Sequence, residues 1–281
     1  MSACVIFCYG RGCDHLCGRR RQSPAVVETG LKVGMSDNEA AGEIESVFRQ
    51  DVTVELVRGS AHDADVLFAA RVSTLGEQSL DELQKDPERS RGLINYLMRD
   101  RHGTPFEHNS MTFFVSAPIF VFREFQRHRV GFSYNEESGR YRELQPVFYV
   151  PGPDRRLVQH GRPGKYEFSE GSAEQHQLVA KTMEASYTQA YLAYQEMLAA
   201  GIAREVARSV LPVGLFSSMY VTCNARSLMA FLSLRTKDDR ATVPSFPQRE
   251  IEMVAEAMET LWAERMPLTH AAFNANGRVG P

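Results

Sequence analysis

Apolar and polar positions set out a chain of alternating helices and strands from about residue 51 onward. Val52, Val54 and Leu56 alternate with Asp51, Thr53 and Glu55, the period-two pattern of a half-buried strand. Ala64, Val66, Leu67 and Ala70 predict a helix over 63–70 that ends near 71–74. A second helix is predicted over 87–98, with Leu93, Ile94 and Leu97 on one face and Pro87 near its start, where the missing N–H costs nothing. Residues 101–108 form a turn-rich polar bridge to an apolar strand at 111–116, and Pro118 heads a helix over 119–126. Residues 146–171, rich in Pro, Gly and charge, read as a long surface loop. Ser172-Ala173-Glu174-Gln175 is a capping-box pattern opening a long helix, with Leu178, Met183, Tyr187, Tyr191, Tyr194 and Leu198 as its stripe and Gly201 at its end. A short helix over 203–211 stops at Pro212; 216–223 fits strand or helix; 225–234 is an amphipathic helix. A last helix over 248–266 carries Ile251, Val254, Met258, Leu261 and Trp262. These Met and aromatic stripes are core-facing. With no internal repeat and no boundary after residue 50, the expected fold class is α+β, a mixed β-sheet packed by helices.

Residues 1–48 differ from the rest. They lack sustained periodicity and read as a disordered or mis-assigned N-terminal extension, with Met35 a plausible natural start, leaving 49–281 as the one folded domain. Cys4, Cys8, Cys13 and Cys17 lie in this extension at spacings looser than zinc knuckles, and nothing marks the chain as secreted, so neither a metal site nor a disulfide framework is expected. Cys223 reads as a small core residue. The 281 residues are 43% hydrophobic and 24% charged, the balance of an ordinary soluble protein. A net charge of -3 argues against a nucleic-acid binder, and no apolar run reaches the ~20 residues that span a bilayer. A cytoplasmic location with no membrane partner is therefore expected.

The chemistry concentrates in one stretch, Arg127 to Tyr141, which holds three arginines, a histidine, two glutamates and two tyrosines. Burial of so many ionisable groups is costly unless each is paired, so the stretch is either a solvated loop or the wall of a polar pocket for an anionic, planar ligand. Arg127-His128-Arg129 supplies forked donors and a ring; Ser133 to Ser138 supplies acceptors and donors for a heterocycle edge. Elsewhere Arg204 and Arg208 lie one helical turn apart, with Glu205 able to pair only partly with either. Asn224 is a good N-cap, but Arg226 in the first turn opposes the helix dipole and so answers to something else, such as an anion. Arg235 at the other end is favourable for the helix itself. His102, Glu107 and His108 lack a third ligand at a helical offset, so metal is not expected. The glycine fingerprints of Rossmann and Walker sites are missing, so any dinucleotide would be held by arginines and loop amides.

Taken together, Arg127-His128-Arg129 followed by Ser133-x-Asn135-Glu136-x-Ser138-x-Arg140-Tyr141 closely resembles the signature of the flavin-dependent thymidylate synthases. So do Arg71-Val72-Ser73, Thr104-Pro105-Phe106-Glu107-His108, Arg204-Glu205-Val206-Ala207-Arg208 and Asn224-Ala225-Arg226-Ser227-Leu228, in the family's order, from about Val54 to Trp262. The resemblance implies a homotetramer with active sites shared between chains, converting dUMP to dTMP. Methylenetetrahydrofolate supplies the carbon, and NADPH reduces a bound FAD. It implies FAD contacts by Thr104, Arg127, His128, Arg129, Glu136, Asn224, Ala225 and Arg226. It implies dUMP contacts by Glu124, Phe125, Gln126, Arg127, Glu136, Glu137, Ser138, Gly139, Arg140, Arg208 and Arg235, with Arg235 activating the uracil. The chain departs from the pattern in three places. Eight residues, not seven, separate the Arg-His-Arg triplet from Ser138, with Gly131 expected to absorb the extra one as a bulge. Glu124 stands where glutamine is common, and residues 236–247 form a longer segment than expected. Two other classes compete with this reading: a flavin or nucleotide binder without catalysis, and a nucleic-acid binder, which the charge disfavours.

Overall fold

The computed structural model describes residues 46–76, 86–163 and 165–281. The N-terminal expectations, including the cysteine cluster and Met35, concern residues outside the described ones. The last residues assigned to the extension, Val47 and Phe48, belong to strand β1 (Val47–Arg49), which pairs in parallel with β5 (Val147–Tyr149).

The centre is a four-stranded sheet of order β2-β3-β8-β4, formed by β2 (Thr53–Gly59), β3 (Met111–Pro118), β8 (Phe216–Cys223) and β4 (Phe132–Glu136). Each of its pairings is antiparallel. The expected mixed sheet is thus a correction: the parallel pairing sits in the separate β1–β5 pair. Strand β3 explains the layering. Met111, Phe113, Val115 and Ala117 are fully buried, and Thr112, Phe114 and Ser116 point to the more open face. The ambiguous segment 216–223 is a strand for the same reason, since Met219, Val221 and Cys223 alternate inward opposite Val115, Phe113 and Met111.

Helices cover that apolar face. They are α1 (Asp63–Leu75), α2 (Pro87–Arg99), α3 (Ile119–Phe125), α6 (Ala225–Arg235), α7 (Arg249–Arg265) and α8 (Pro267–Ala275). Their shared core includes Ile94, Phe122, Phe231, Val254, Met258, Trp262 and Phe273. The caps follow the sequence. Asp86 accepts from the Arg89 amide, and Asn224 accepts from the Ser227 amide at 2.9 Å. Ser172 and Gln175 form the expected capping box at the start of α4 (Ala173–Ala199), which ends beside Gly201 at φ +78°. Helix α4 makes a second core with Leu144, Phe148, Tyr191, Tyr194, Ala207 and Leu215, and connects to the one-turn α5 (Arg204–Ala207).

Three boundaries differ from expectation. Helix α1 runs one residue past the expected end at 71–74, to Leu75, and stops at Gly76 with φ +69°. The surface loop 146–171 contains β5 and a hairpin of β6 (Val158–Arg162) and β7 (Lys165–Ser169); β6 carries no alternation, and the five-residue alternation of β7 is exposed on both faces and lies within a segment rich in Pro, Gly and charge. Helix α8 was not expected, because Pro267 breaks the periodicity and nine residues are too few to show it again.

Candidate active site

Helix α6 is the spine of the site, with Arg226 in its first turn and Arg235 in its last. Nine residues at 1.5 Å each put these two arginines about 14 Å apart along the axis.

At the Arg235 end, the guanidinium is held on two sides. Nε donates to His128 Nε2 at 3.0 Å, and an Nη donates to Glu124 Oε2 at 2.7 Å. Helix α3 delivers Glu124, and the turn after it delivers His128. The Tyr134 hydroxyl on β4 fixes that turn by donating to the carbonyls of Phe125 (2.9 Å) and His128 (2.6 Å). The His128 ring packs edge-on against Phe231. Burial, and then the Arg235 charge, lower the His128 pKa to about 4, so the imidazole is neutral at pH 7 and accepts through Nε2. Burial raises the Glu124 pKa, opposed by Arg235. Arg127 and Arg129 on either side of His128 are exposed, and their side chains have no hydrogen-bond or ion-pair partner among the described residues.

At the Arg226 end, Nε donates to the Pro281 carbonyl at 2.8 Å, and Nη1 pairs with Glu107. A Cβ at Gly103 would come within 2.5 Å of the Arg226 guanidinium carbon, so a larger residue there would push that guanidinium aside. Thr104, next in the chain, is exposed. The Ala225 amide donates to Asn109 Oδ1, and the Ala225 side chain is fully buried.

A cavity of about 380 Å³ forms a third part, lined by Ile119, Glu136, Gly139, Arg208, Leu215 and Ser217 among others. Strand β4 brings Glu136 to it on the same side as Tyr134. Burial raises the Glu136 pKa, against a hydrogen bond from Ser217 and the nearby Arg208 charge. Gly139 is buried, and a Cβ there would meet Leu144 Cδ1 at 2.8 Å and Arg208 Cδ at 3.2 Å. Glycine there lets the loop pack directly against Leu144 and Arg208. Arg140 pairs with Glu205 at 3.1 Å, and Arg142 pairs with Glu137 at 3.0 Å.

The structure thus joins Glu124, His128 and Arg235 directly, and gathers Glu136, Glu137, Gly139 and Arg208 round one cavity. Gln126 is exposed, and Ser138 is half-buried with its carbonyl accepting from the Tyr141 and Arg142 amides. The ring of Phe125 is fully buried, stacked on Phe231 at 4.6 Å, so its contribution is packing behind the site. Two pairings differ from expectation. Glu205 reaches across to Arg140 rather than to its helix neighbours, because α5 is a single turn facing the 137–142 loop. Gly131 holds φ +70° in the turn, and β4 pairs without interruption from Phe132, so the extra residue is absorbed ahead of the strand rather than as a bulge within it. Sequence reasoning counted Tyr134 only within a run of donors and acceptors for a heterocycle edge, and gave no role to Ser217. Their signal, a polar group at an inward position of a strand, is visible only once strand register is known. Among the described residues, no group of three or more His, Cys, Asp or Glu is arranged to hold a metal.

Residues 55–268 match the family model described as thymidylate synthase complementing protein. This chain belongs to the flavin-dependent thymidylate synthases. The flavin-dependent thymidylate synthase of Streptomyces avermitilis is 76% identical over 241 residues, covering 86% of this chain and 98% of that protein. The one from Tropheryma whipplei strain TW08/27 is 56% identical over 240 residues, 85% of this chain and 98% of that protein. Among solved structures, a UMP/dUMP methylase, PolB, from Streptomyces cacaoi bound with 5-Br dUMP superposes with a TM-score of 0.79 at 56% identity, covering 84% of this chain and 100% of that one.

Proposed function

We propose that the Arg235 cluster activates dUMP for reductive methylation to dTMP, with methylenetetrahydrofolate as carbon donor and NADPH as reductant through bound FAD. The same reading makes the protein a cytoplasmic homotetramer with active sites shared between chains. The observation that carries it is Arg235 held between Glu124 and a neutral His128. Uracil carries an acidic ring N–H, and a fixed guanidinium beside it stabilises the ring anion that makes the neighbouring carbon nucleophilic. Arginine stays charged, so it acts as an electrostatic stabiliser and not as a base. The bonds to Glu124 and His128 leave part of the donor fork available for the pyrimidine.

The 5′-phosphate fits the Arg208 cavity. Arg208 is exposed and lines it with Gly139, and Ser138 and Arg140 flank that glycine. The donor set also fits a flavin dinucleotide, whose diphosphate needs several unspent guanidinium donors. Arg127 and Arg129 are exposed with free side chains, and Arg226 keeps donors beyond its two bonds. Thr104, His128, Glu136, Asn224 and Ala225 complete the proposed flavin contacts. The chemistry FAD supplies when bound is the hydride that turns the one-carbon unit into a methyl group. No thiol is needed for this route; Cys223, the one cysteine among the described residues, is buried in the core and its pKa is pushed up by burial.

The test is the absorbance spectrum of the purified protein together with tritium release from dUMP labelled on the ring carbon. Oxidised-flavin bands and folate-dependent tritium release are expected. Bands without release would favour a flavin binder that does not catalyse, and absence of both would reject the reading.

A further inference from the structure

The structure describes two non-glycine residues with positive φ, Arg101 at +62° and Arg278 at +54°. Such a conformation costs an L-residue roughly 1–2 kcal/mol and usually falls to glycine at helix ends. Both arginines spend their side chains on the same object. Arg101, just past the end of α2, donates to the carbonyls of Val279 and Gly280, each at 2.9 Å. Arg278 is 2% exposed and grips Glu259 through both Nη atoms at 2.7 and 2.6 Å, Asn274 at 2.6 Å and Thr236 Oγ1 at 2.7 Å. Residues 276–281 therefore form a strap along α6. Thr236 caps the Arg235 end and is tied to Arg278. Gly280 lies against Met229 and Ala230 in the middle, with 3.3 Å to the Met229 Cβ from an added Cβ. The Pro281 carbonyl takes the Nε–H of Arg226 at the other end.

We infer that this strap positions Arg226 for the flavin, with Arg101 as the residue that holds it in place. The inference rests on the reading that Arg226 contacts FAD. A free arginine side chain samples many rotamers, and ordering it on binding lowers affinity. Here Pro281 fixes the Nε edge, Glu107 fixes Nη1, and the Gly103 backbone supports the face of the guanidinium. The Nη2 edge carries no bond to another described residue and remains for an anion. Arg101 is exposed, and its side chain bonds the strap rather than any group of the site described above, so it acts on the flavin only through the strap.

The experiment is FAD titration of the flavin-stripped full-length protein, followed by flavin fluorescence. Arg101→Met is expected to weaken FAD binding by about tenfold while leaving the denaturation midpoint and dUMP affinity unchanged. Arg101→Lys, which keeps a donor for the strap carbonyls, is expected to recover part of the loss. In an Arg226→Met background, Arg101→Met is expected to add nothing, because the strap then has no guanidinium to aim. Unchanged FAD affinity in Arg101→Met overturns the inference, as does an equal further loss in the Arg226→Met background or a lowered midpoint with affinity kept. If the unsubstituted protein itself binds no FAD, the site reading fails and takes this inference with it. If it binds and Arg101→Met binds equally well, only the inference fails.

Discussion

Arg235 is the residue we propose activates the pyrimidine, and its surroundings define what substitution should do. Arg235→Ala removes the guanidinium but leaves the Arg226 end of α6, about 14 Å away, untouched. Turnover of dUMP should fall by at least 10²-fold, the scale seen when one preorganised donor to a developing charge is lost. The yellow colour of bound flavin should persist; near-normal turnover would remove Arg235 from the mechanism. His128 adds a pH signature. Its pKa, lowered to about 4 by burial and the Arg235 charge, lies below the unfolded value of about 6.5. Between those values the unfolded chain holds the proton and the folded chain does not, so stability falls as pH drops from 6.5 toward 4. His128→Gln removes that contribution, and urea titrations across this window should show a shallower pH slope than in the unsubstituted protein.

Among the elements, the junction between α3 and β4 is the most constrained. Gly131 must adopt φ +70°, and a Cβ there would lie 2.0 Å from Ser227 Oγ on α6. Gly131→Ala therefore combines backbone strain with a collision, and should cost about 1–3 kcal/mol in denaturant unfolding. Since β4 and α6 both carry site residues, the same change should disturb nucleotide binding. A loss below about 0.5 kcal/mol would mean the turn relaxes freely. The capping box at Ser172, the Asn224 cap and the Pro87 start were readable in the sequence because each is a short-range arrangement that side-chain chemistry dictates. The β6–β7 hairpin and α8 were not: β6 shows no alternation, β7 alternates over only five exposed residues, and α8 is too short to show a period.

Across the molecule, the Arg278–Glu259 pair joins the strap to α7 and to the segment that follows Arg235. Burial alone would raise the Glu259 carboxyl, but hydrogen bonds from Arg278 and His270 outweigh it and hold the pKa at about 2. A depressed carboxylate contributes stability that is present above its unfolded pKa, about 4.3, and lost as pH falls toward 2. Arg278→Met leaves that carboxylate without its main partner and should cost roughly 3 kcal/mol near neutral pH, as for other broken buried pairs. The variant should also lose much of the acid-dependent stability below pH 4.3. Denaturant titrations at pH 7 and pH 3 measure both effects, and equal stability of the two proteins at pH 7 would show that the clasp is dispensable.

The sequence by itself determined the elements with clear periodicity, the caps, and the set of polar residues that had to share a purpose. Clustering arginine, histidine and glutamate in Arg127 to Arg140 is too costly to bury without partners, which left a solvated loop or a polar pocket, and the ordered family motifs chose the pocket. Only the tertiary structure decided which charges meet. Glu124 and Arg235 are 111 residues apart, Arg226 and Glu107 119, and Arg140 and Glu205 65. Pairings at such separation are set by strand register and by the packing of α6 against the sheet. Those follow from the whole apolar core and leave no mark on the local pattern of residues.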